Sequence, residues 1–190
     1  ADVAVLALET NQLPDEKVAE FIASHCQVKT ENFYLITAPT SSFVGMVQIA
    51  GRAAEVGMFK LCETLKFNPK KVKHAFGVCP IAPLNPDPIK SMCMSNDAIL
   101  YGSQTFYSIE TDEKNNVEEI IKKIPSVASK YYGKPFFEIF KEAGYDFYKI
   151  NSSLFAPAEV VLNDLKSGAL HKAGEINEQI LVSSFGLKIH

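Results

Sequence analysis

The 190-residue sequence has no tryptophan, and its four cysteines and four histidines are scattered rather than grouped. Cys26, Cys62, Cys79 and Cys93 form no C-x-x-C pair, which excludes the usual ligand spacing of a structural zinc site. Because a chain of this length can bury a core without disulfides, we interpret the cysteines as reduced thiols of a cytoplasmic protein.

An excess of positive charge is also missing, since 19 Lys and Arg against 22 Asp and Glu give a formal net charge of -3. A general nucleic-acid binder needs a basic face, so we expect no nucleic-acid partner. Neither G-x-G-x-x-G nor the Walker A pattern occurs, which argues against nucleotide-binding enzymes of those kinds. The uncharged run 32–51 contains Pro39 and several polar residues. It therefore indicates a strand and a helix joined by a turn rather than a membrane span.

Hydrophobic residues make up 47% of the sequence and charged residues 22%, which is typical of a globular protein. Strand and helix patterns alternate, and this favours an α/β (layered α+β) fold with a mixed sheet packed against helices. We expect strands at 3–8, 33–37, 72–78 and 98–109, a hairpin at 159–165 and 169–173, and helices at 14–26, 43–65, 117–123, 135–143 and 178–185. In the first helix, Val18, Phe21 and Ile22 are predicted to face the core. No shift in composition marks an internal domain boundary.

The most informative segment is 43–59, where the only polar or charged side chains are Gln48, Arg52 and Glu55. A continuous helix would place these three within an arc of about 60°, with Ser41 projecting to the same side. We expect such an apolar helix to be buried nearly all round. Its polar stripe then forms either a self-neutralising buried ion pair or a cleft wall, in which Arg52 binds an anionic group and Glu55 handles a proton or a water.

Two other polar clusters leave alternatives open. The turn 40–42 could bind an anion at the start of the following helix, although plain capping by its serines is favoured. Asn96 and Asp97 are predicted to lie in a turn before a strand, where they either bond their own backbone or offer donors and acceptors to a pterin-like ring. The isolated histidines are interpreted as packing or surface residues.

Eight sequence blocks, in this order, resemble the methenyltetrahydromethanopterin cyclohydrolase family. They are APT at 38–40, VQIAGRAAE at 47–55, PIAP at 80–83, SNDAILYG at 95–102, YGKPFFEIF at 132–140, YDFYKI at 145–150, FAPAEV at 155–160 and AGEIN at 173–177. The resemblance implies that residues 1–190 are the carboxy-terminal portion of a family member. An apolar strand that begins by residue 3, without a methionine at the start, agrees with a missing amino-terminal half.

The resemblance also implies an activity, the hydrolysis of a methenyl pterin one-carbon carrier to its formyl derivative in the one-carbon metabolism of methanogenesis. It implies no cofactor and no metal, a small pterin as substrate, and a homotrimer. Glu55 and Arg52 match the family's catalytic Glu and Arg, with Glu55 as the water-activating base and Arg52 orienting it. Gln48, Ser41, Asn96, Asp97 and Ser184 are the expected substrate-binding residues.

One departure from the family pattern stands before Asn96, where Gly-Arg-Thr is usual and this sequence has Cys93, Met94 and Ser95. An arginine that could hold an anionic part of the substrate is therefore missing. Two alternatives to the enzyme remain. One is a non-catalytic pterin-binding subunit or degenerate homologue that needs a separate amino-terminal chain. The other is an α/β domain with a merely structural Arg–Glu pair.

Overall fold

Two sheets and seven α-helices make up the part of the chain that the computed structural model describes, residues 1–112 and 116–187. The strands are β1 (Ala4–Glu9), β2 (Phe33–Ala38), β3 (Val72–Val78), β4 (Gln104–Ile109), β5 (Glu159–Asp164) and β6 (Leu170–Gly174). The helices are α1 (Glu16–His25), α2 (Phe43–Ala50), α3 (Ala53–Phe59), α4 (Pro88–Gly102), α5 (Val117–Ile121), α6 (Phe136–Glu142) and α7 (Glu178–Phe185). β1 and β2 form a parallel pair, and β3, β4, β5 and β6 form a mixed sheet in that order. The predicted α/β class is confirmed.

The first 38 residues form a strand–helix–strand unit, as the sequence predicts, and the structure pairs its two strands in parallel. Asp15 begins α1 because its carboxylate accepts a hydrogen bond from the Val18 amide at 3.0 Å. However, the prediction that α1 turns Val18 and Phe21 toward the core is wrong, since their exposed fractions are 42% and 63%. Ile22 is half-buried and Ala23 is buried. No described segment covers the outer side of this helix.

The long helix predicted at 43–65 is interrupted after Ala50. The amide of Gly51 still bonds to the Val47 carbonyl at 2.8 Å, but the amide of Arg52 reaches back only three residues, to Ile49 at 3.1 Å. The chain therefore tightens and restarts as α3, which continues into a π-helical turn at Lys60–Thr64. The expected all-round burial is wrong as well, because Phe43 and Val44 are 59% and 64% exposed.

The strand predicted at 98–109 is half helix. Asp87 caps α4 by accepting hydrogen bonds from the amides of Ile89 and Lys90, and the helix runs to Gly102 before β4 starts. Residues 97–102 are all buried, so the segment has no solvent-exposed face. Periodicity cannot distinguish such a segment from a buried strand.

Local signals place the carboxy-terminal elements where the sequence predicts them. β5 and β6 pair as an antiparallel hairpin, and Asn177 caps α7 by accepting a hydrogen bond from the Ile180 amide at 3.1 Å. Strand β3 also matches its predicted range.

Two apolar cores hold the larger part of the fold together. The first lies between the mixed sheet and the helices α3 and α5, around the completely buried Tyr107, Ile109, Val160 and Leu162. The second lies where α4, α6 and α7 meet, around Tyr101 and Phe136. The first core fixes α3, and the second fixes the helices that carry Asp97 and Ser184.

Helix α3 lies unusually close to the sheet because two glycines leave room for it. A Cβ on Gly57 would lie 2.0 Å from the hydroxyl oxygen of Tyr107, and a Cβ on Gly77 of β3 would lie 2.8 Å from the Ala54 nitrogen. Neither position accepts a larger residue without movement of the helix or the strand.

Replacing Gly57 with alanine tests this close contact. Helix propensity alone would make Gly57→Ala stabilising by about 1 kcal/mol. We expect instead a loss of about 2 kcal/mol in the free energy of unfolding, because the added methyl group overlaps the Tyr107 hydroxyl. In the Tyr107→Phe background the same substitution should cost less. A stabilising effect in urea unfolding would contradict the packing.

Candidate functional site

Arg52 and Glu55 form a bidentate ion pair at the break between α2 and α3. Arg52 Nε donates to Glu55 Oε2 at 2.9 Å, and Arg52 Nη2 donates to Oε1 at 2.5 Å. Of the two alternatives for this polar stripe, the self-neutralising buried pair is wrong, since the two side chains are 56% and 61% exposed. The hydrogen bond from Arg52 holds the pKa of Glu55 below its usual range, and the weaker effect of burial does not reverse this. Glu55 is therefore an ionised carboxylate open to solvent.

Gln48 and Ser41 lie beside this pair in the chain. Gln48 is exposed on α2, one turn before Arg52. Ser41 is half-buried just ahead of α2, but Ser42 is the residue that caps the helix, accepting a hydrogen bond from the Gly45 amide at 3.0 Å. The capping interpretation of this turn is thus confirmed through Ser42.

Asp97 occupies a different position, inside α4 and with no exposed surface. Its Oδ1 accepts a hydrogen bond from the Phe136 amide at 2.8 Å, where α6 begins, and its Oδ2 accepts one from Ser184 Oγ at 2.5 Å. Burial raises the pKa of Asp97 to about 7, against the opposing effect of both hydrogen bonds. The carboxyl group therefore links three helices.

The prediction that Asn96 and Asp97 lie in a turn is wrong, because both belong to α4. Asn96 is half-buried, and its side-chain amide donates to the Met92 carbonyl at 2.9 Å within the same helix. Asp97 and Ser184 were each expected to bind substrate from the family resemblance, and the structure places them in direct contact.

A cavity of about 410 Å³ opens beside Ser184, between α4, α6 and α7. Lys90 and Glu138 are its charged lining residues, and Phe137 and Phe185 contribute aromatic rings. Asp97 lies behind this wall and does not line it, so its part is to hold Ser184. Arg52, Glu55, Gln48 and Ser41 are not among the lining residues.

The segment 79–82 connects the neighbourhood of the Arg52–Glu55 pair with the cavity beside Ser184. Gly77, two residues before Cys79, touches the first turn of α3, and Ala82 packs with Met94 of the cavity wall. The sequence analysis recognised 80–83 and 132–140 as family blocks but did not assign the lining residues Lys90 and Phe137 to a site. Only the fold brings their segments together, so no local pattern could have identified them.

Lysine 60 is a further polar residue that sequence reasoning missed. Lys60 is buried in the π-helical turn and donates a hydrogen bond to the Ser153 carbonyl at 2.6 Å. Desolvation lowers its pKa. A mid-sequence lysine in an apolar segment is the signal that could have pointed to it.

Residues 1–112 and 116–187 offer neither a metal-binding group nor a membrane-spanning helix. No three His, Cys, Asp or Glu side chains within these ranges lie in a group that could hold a metal ion. No helix within them has the length and apolar character needed to cross a membrane.

Comparisons with known proteins agree with the sequence resemblance. The cyclohydrolase (MCH) family model matches residues 1–185. The chain is 52% identical over 187 residues to a methenyltetrahydromethanopterin cyclohydrolase of Methanothermobacter marburgensis, covering 98% of this chain and 58% of that relative. It is 51% identical over 186 residues to the protein of that name from Methanocaldococcus jannaschii, again with 98% and 58% covered. The chain thus spans less than two thirds of the length of these relatives.

The raised pKa of Asp97 predicts how stability changes with pH. Between about pH 4 and pH 7 the folded state holds a proton that the unfolded state has lost, so stability falls as pH rises through this window. A shift from 3.8 to about 7 corresponds to about 4 kcal/mol. Asp97→Asn keeps an acceptor for the Phe136 amide and a donor for Ser184 but does not ionise, so this part of the slope should vanish.

Urea unfolding at about pH 5 and about pH 8 measures the effect. Asp2→Asn, at an exposed position, is the matched control and should keep the wild-type slope. An unchanged slope in Asp97→Asn would show that the carboxyl group is ionised throughout.

Proposed function

Because the chain belongs to the cyclohydrolase (MCH) family, we propose that it forms the part of a methenyltetrahydromethanopterin cyclohydrolase that carries the water-activating base. The observation that carries this proposal is the bidentate Arg52–Glu55 pair at the break between two helices. The pair combines an ionised carboxylate with a fixed orientation, which is what general-base catalysis needs.

In the proposed reaction, water adds to the carbon that bridges two ring nitrogens of the cationic methenyl substrate. Glu55 accepts a proton from this water while the new carbon–oxygen bond forms. One carbon–nitrogen bond then breaks, its electron pair returns to nitrogen, and the remaining hydroxyl proton passes to that nitrogen. The oxygen becomes the carbonyl of the formyl group, and the formyl derivative leaves. The overall change is substrate cation plus water to neutral product plus one proton, so no cofactor is consumed.

Arg52 has two opposing effects on the base. Its hydrogen bonds orient the Glu55 carboxylate, but they also lower the pKa of that group and so weaken it as a base. A flat substrate bound over the exposed pair would remove water from the carboxylate, which raises its pKa, while the positive charge of the substrate lowers it. The proposal requires that desolvation be the larger of these two effects. In this proposal the base becomes strong enough only in the substrate complex.

The other predicted residues receive supporting roles. Gln48 and Ser41, beside the pair in the chain, and Asn96 are proposed to contact the substrate. Ser184 is proposed to contact it from the cavity wall, held there by Asp97. We further propose that the enzyme is cytoplasmic and needs no cofactor. It acts as a homo-oligomer in this proposal, a trimer according to the family resemblance.

The exposure of the ion pair bears on both functions left open by the sequence. Since Arg52 and Glu55 are more than half exposed, these residues by themselves enclose no dry reaction site. This exposure is the same for the enzyme and for a pterin-binding subunit that needs a separate amino-terminal chain for turnover, so it favours neither.

A bare apolar surface supports the idea that further polypeptide completes the site. Large apolar side chains are between 36% and 64% exposed along β1, β2, β3 and the outer sides of α1 and α2. They are Val5, Leu6, Val18, Phe21, Tyr34, Ile36, Phe43, Val44, Val47, Phe76 and Val78. About two fifths of the length of each of these relatives lies outside the part that this chain matches. We propose that the corresponding polypeptide covers this surface and closes the site over Glu55.

Glu55→Gln tests the proposed base. The substitution keeps the size of the side chain and removes the proton acceptor, so turnover should fall at least about 100-fold with KM changed little. Loss of the methenyl chromophore, followed by absorbance, measures the rate. Glu63→Gln is the matched control, since Glu63 pairs with Lys66 at the same i, i+3 spacing on the surface. If Glu55→Gln and Glu63→Gln both turn over normally, Glu55 is not the base.

The apolar surface is tested by adding the complementary portion of the Methanothermobacter marburgensis relative to this chain. We expect a complex in size-exclusion chromatography, less binding of a hydrophobic dye, and a rise in turnover. Tyr34→Lys combined with Ile36→Lys should weaken the complex at least about tenfold, because two charges would be buried. Tyr148→Lys, at a residue that is 97% exposed, is the control.

Each outcome of the mixing experiment has a meaning. The proposal that further polypeptide covers the apolar surface would be contradicted if no complex formed. It would also be contradicted if the double substitution left the affinity of the complex unchanged. A complex that binds the methenyl pterin without hydrolysing it would favour the non-catalytic subunit over the enzyme.

A further inference from the structure

A buried tyrosine from the sheet reaches the helix that carries Glu55. Tyr107 of β4 has no exposed surface, and its hydroxyl donates a hydrogen bond of 2.8 Å to the Ala54 carbonyl, one residue before Glu55. From this geometry we propose that Tyr107 is a positioning residue for Glu55, an inference that rests on the proposed function of Glu55 as the base.

The first turn of α3 is the part of the helix that this hydrogen bond holds. The helix has seven residues, and Arg52 at its amino end provides no side-chain cap. Among the hydrogen bonds within residues 1–112 and 116–187, the one from Tyr107 joins α3 to the sheet. Because this first turn has no side-chain cap, a fixed carbonyl within it limits the movement of Arg52 and Glu55.

The packing around this hydrogen bond is built for it. Gly57, one turn after Ala54, leaves the space that the Tyr107 hydroxyl occupies, and Gly77 lets β3 press against the Ala54 nitrogen. A tyrosine at a completely buried position must find a partner for its hydroxyl, and here the partner is the backbone beside the base. Burial raises the pKa of Tyr107 to about 12, so the hydroxyl remains a donor at neutral pH.

Tyr101 provides a matched control within the same chain. It is also fully buried, and its hydroxyl also donates to a backbone carbonyl, that of Lys134 at 2.6 Å. It belongs to the other apolar core, among α4, α6 and α7. Tyr107→Phe and Tyr101→Phe therefore remove the same kind of hydrogen bond, and only the first touches α3.

The experiment compares the two variants by hydrogen exchange and by NMR titration of the Glu55 carboxyl carbon. We expect peptides from α3 to exchange about fivefold faster in Tyr107→Phe than in wild type or Tyr101→Phe, since one hydrogen bond to the backbone is lost. We also expect the pKa of Glu55 to rise toward its usual value in Tyr107→Phe alone, because Arg52 no longer meets it in one geometry.

Turnover supplies the third measurement, on the chain completed with the complementary portion of the relative. Tyr107→Phe should lower kcat about fivefold to tenfold with KM within about twofold, and Tyr101→Phe should leave both unchanged. Equal behaviour of the two variants in exchange and in the Glu55 titration would overturn the positioning role. If hydrogen exchange and the Glu55 titration differ between the two variants as expected, but wild type shows no turnover, the proposed enzyme is contradicted and the positioning role of Tyr107 stands.

Discussion

The close contact of α3 with the sheet is the constraint on which the arrangement of the candidate site depends. Gly57 and Gly77 bring the helix within reach of the Tyr107 hydroxyl and of strand β3. Because α3 is held against the sheet while α2 packs on α4, the chain has to change course between them, and it does so at Gly51 and Arg52. The ion pair therefore stands at a bend whose position is determined by tertiary packing.

Asp97 has a comparable organising role in the second core. Its carboxyl group receives hydrogen bonds from the first turn of α6 and from the last turn of α7, at the cost of complete burial. A buried carboxyl group tends to be neutral unless it is paired, and the pKa of about 7 places this one between the two states near neutral pH. When Asp97 is ionised, Ser184 must donate to it and can offer only acceptor capacity to the cavity. The hydrogen-bonding character of the cavity wall is therefore linked to a residue that does not line it.

The elements that the sequence predicted well depend on neighbouring residues. The cap at Asn177, the β5–β6 hairpin and the contact between Arg52 and Glu55 all follow from spacings of a few positions. The features that the sequence did not reveal depend on contacts between residues that are far apart in the chain. The contact of Ser184 with Asp97 spans 87 positions, and the contact of Tyr107 with Ala54 spans 53. Within 43–65, Gly51 is a local signal at the break, but the contacts that hold α3 after it lie in β3 and β4.

The expected all-round burial of the helix that carries Arg52 and Glu55 was the error with the largest consequence for function. An apolar helix with three polar side chains suggested burial, but burial depends on what covers a helix as well as on its own composition. Apolar residues on other elements are bare in the same way, among them Phe43 on α2 and Phe76 on β3. Large apolar side chains exposed to this extent are what the proposed further polypeptide would cover. That polypeptide would desolvate Glu55 and raise its pKa, so the same contact that completes the fold would also adjust the base.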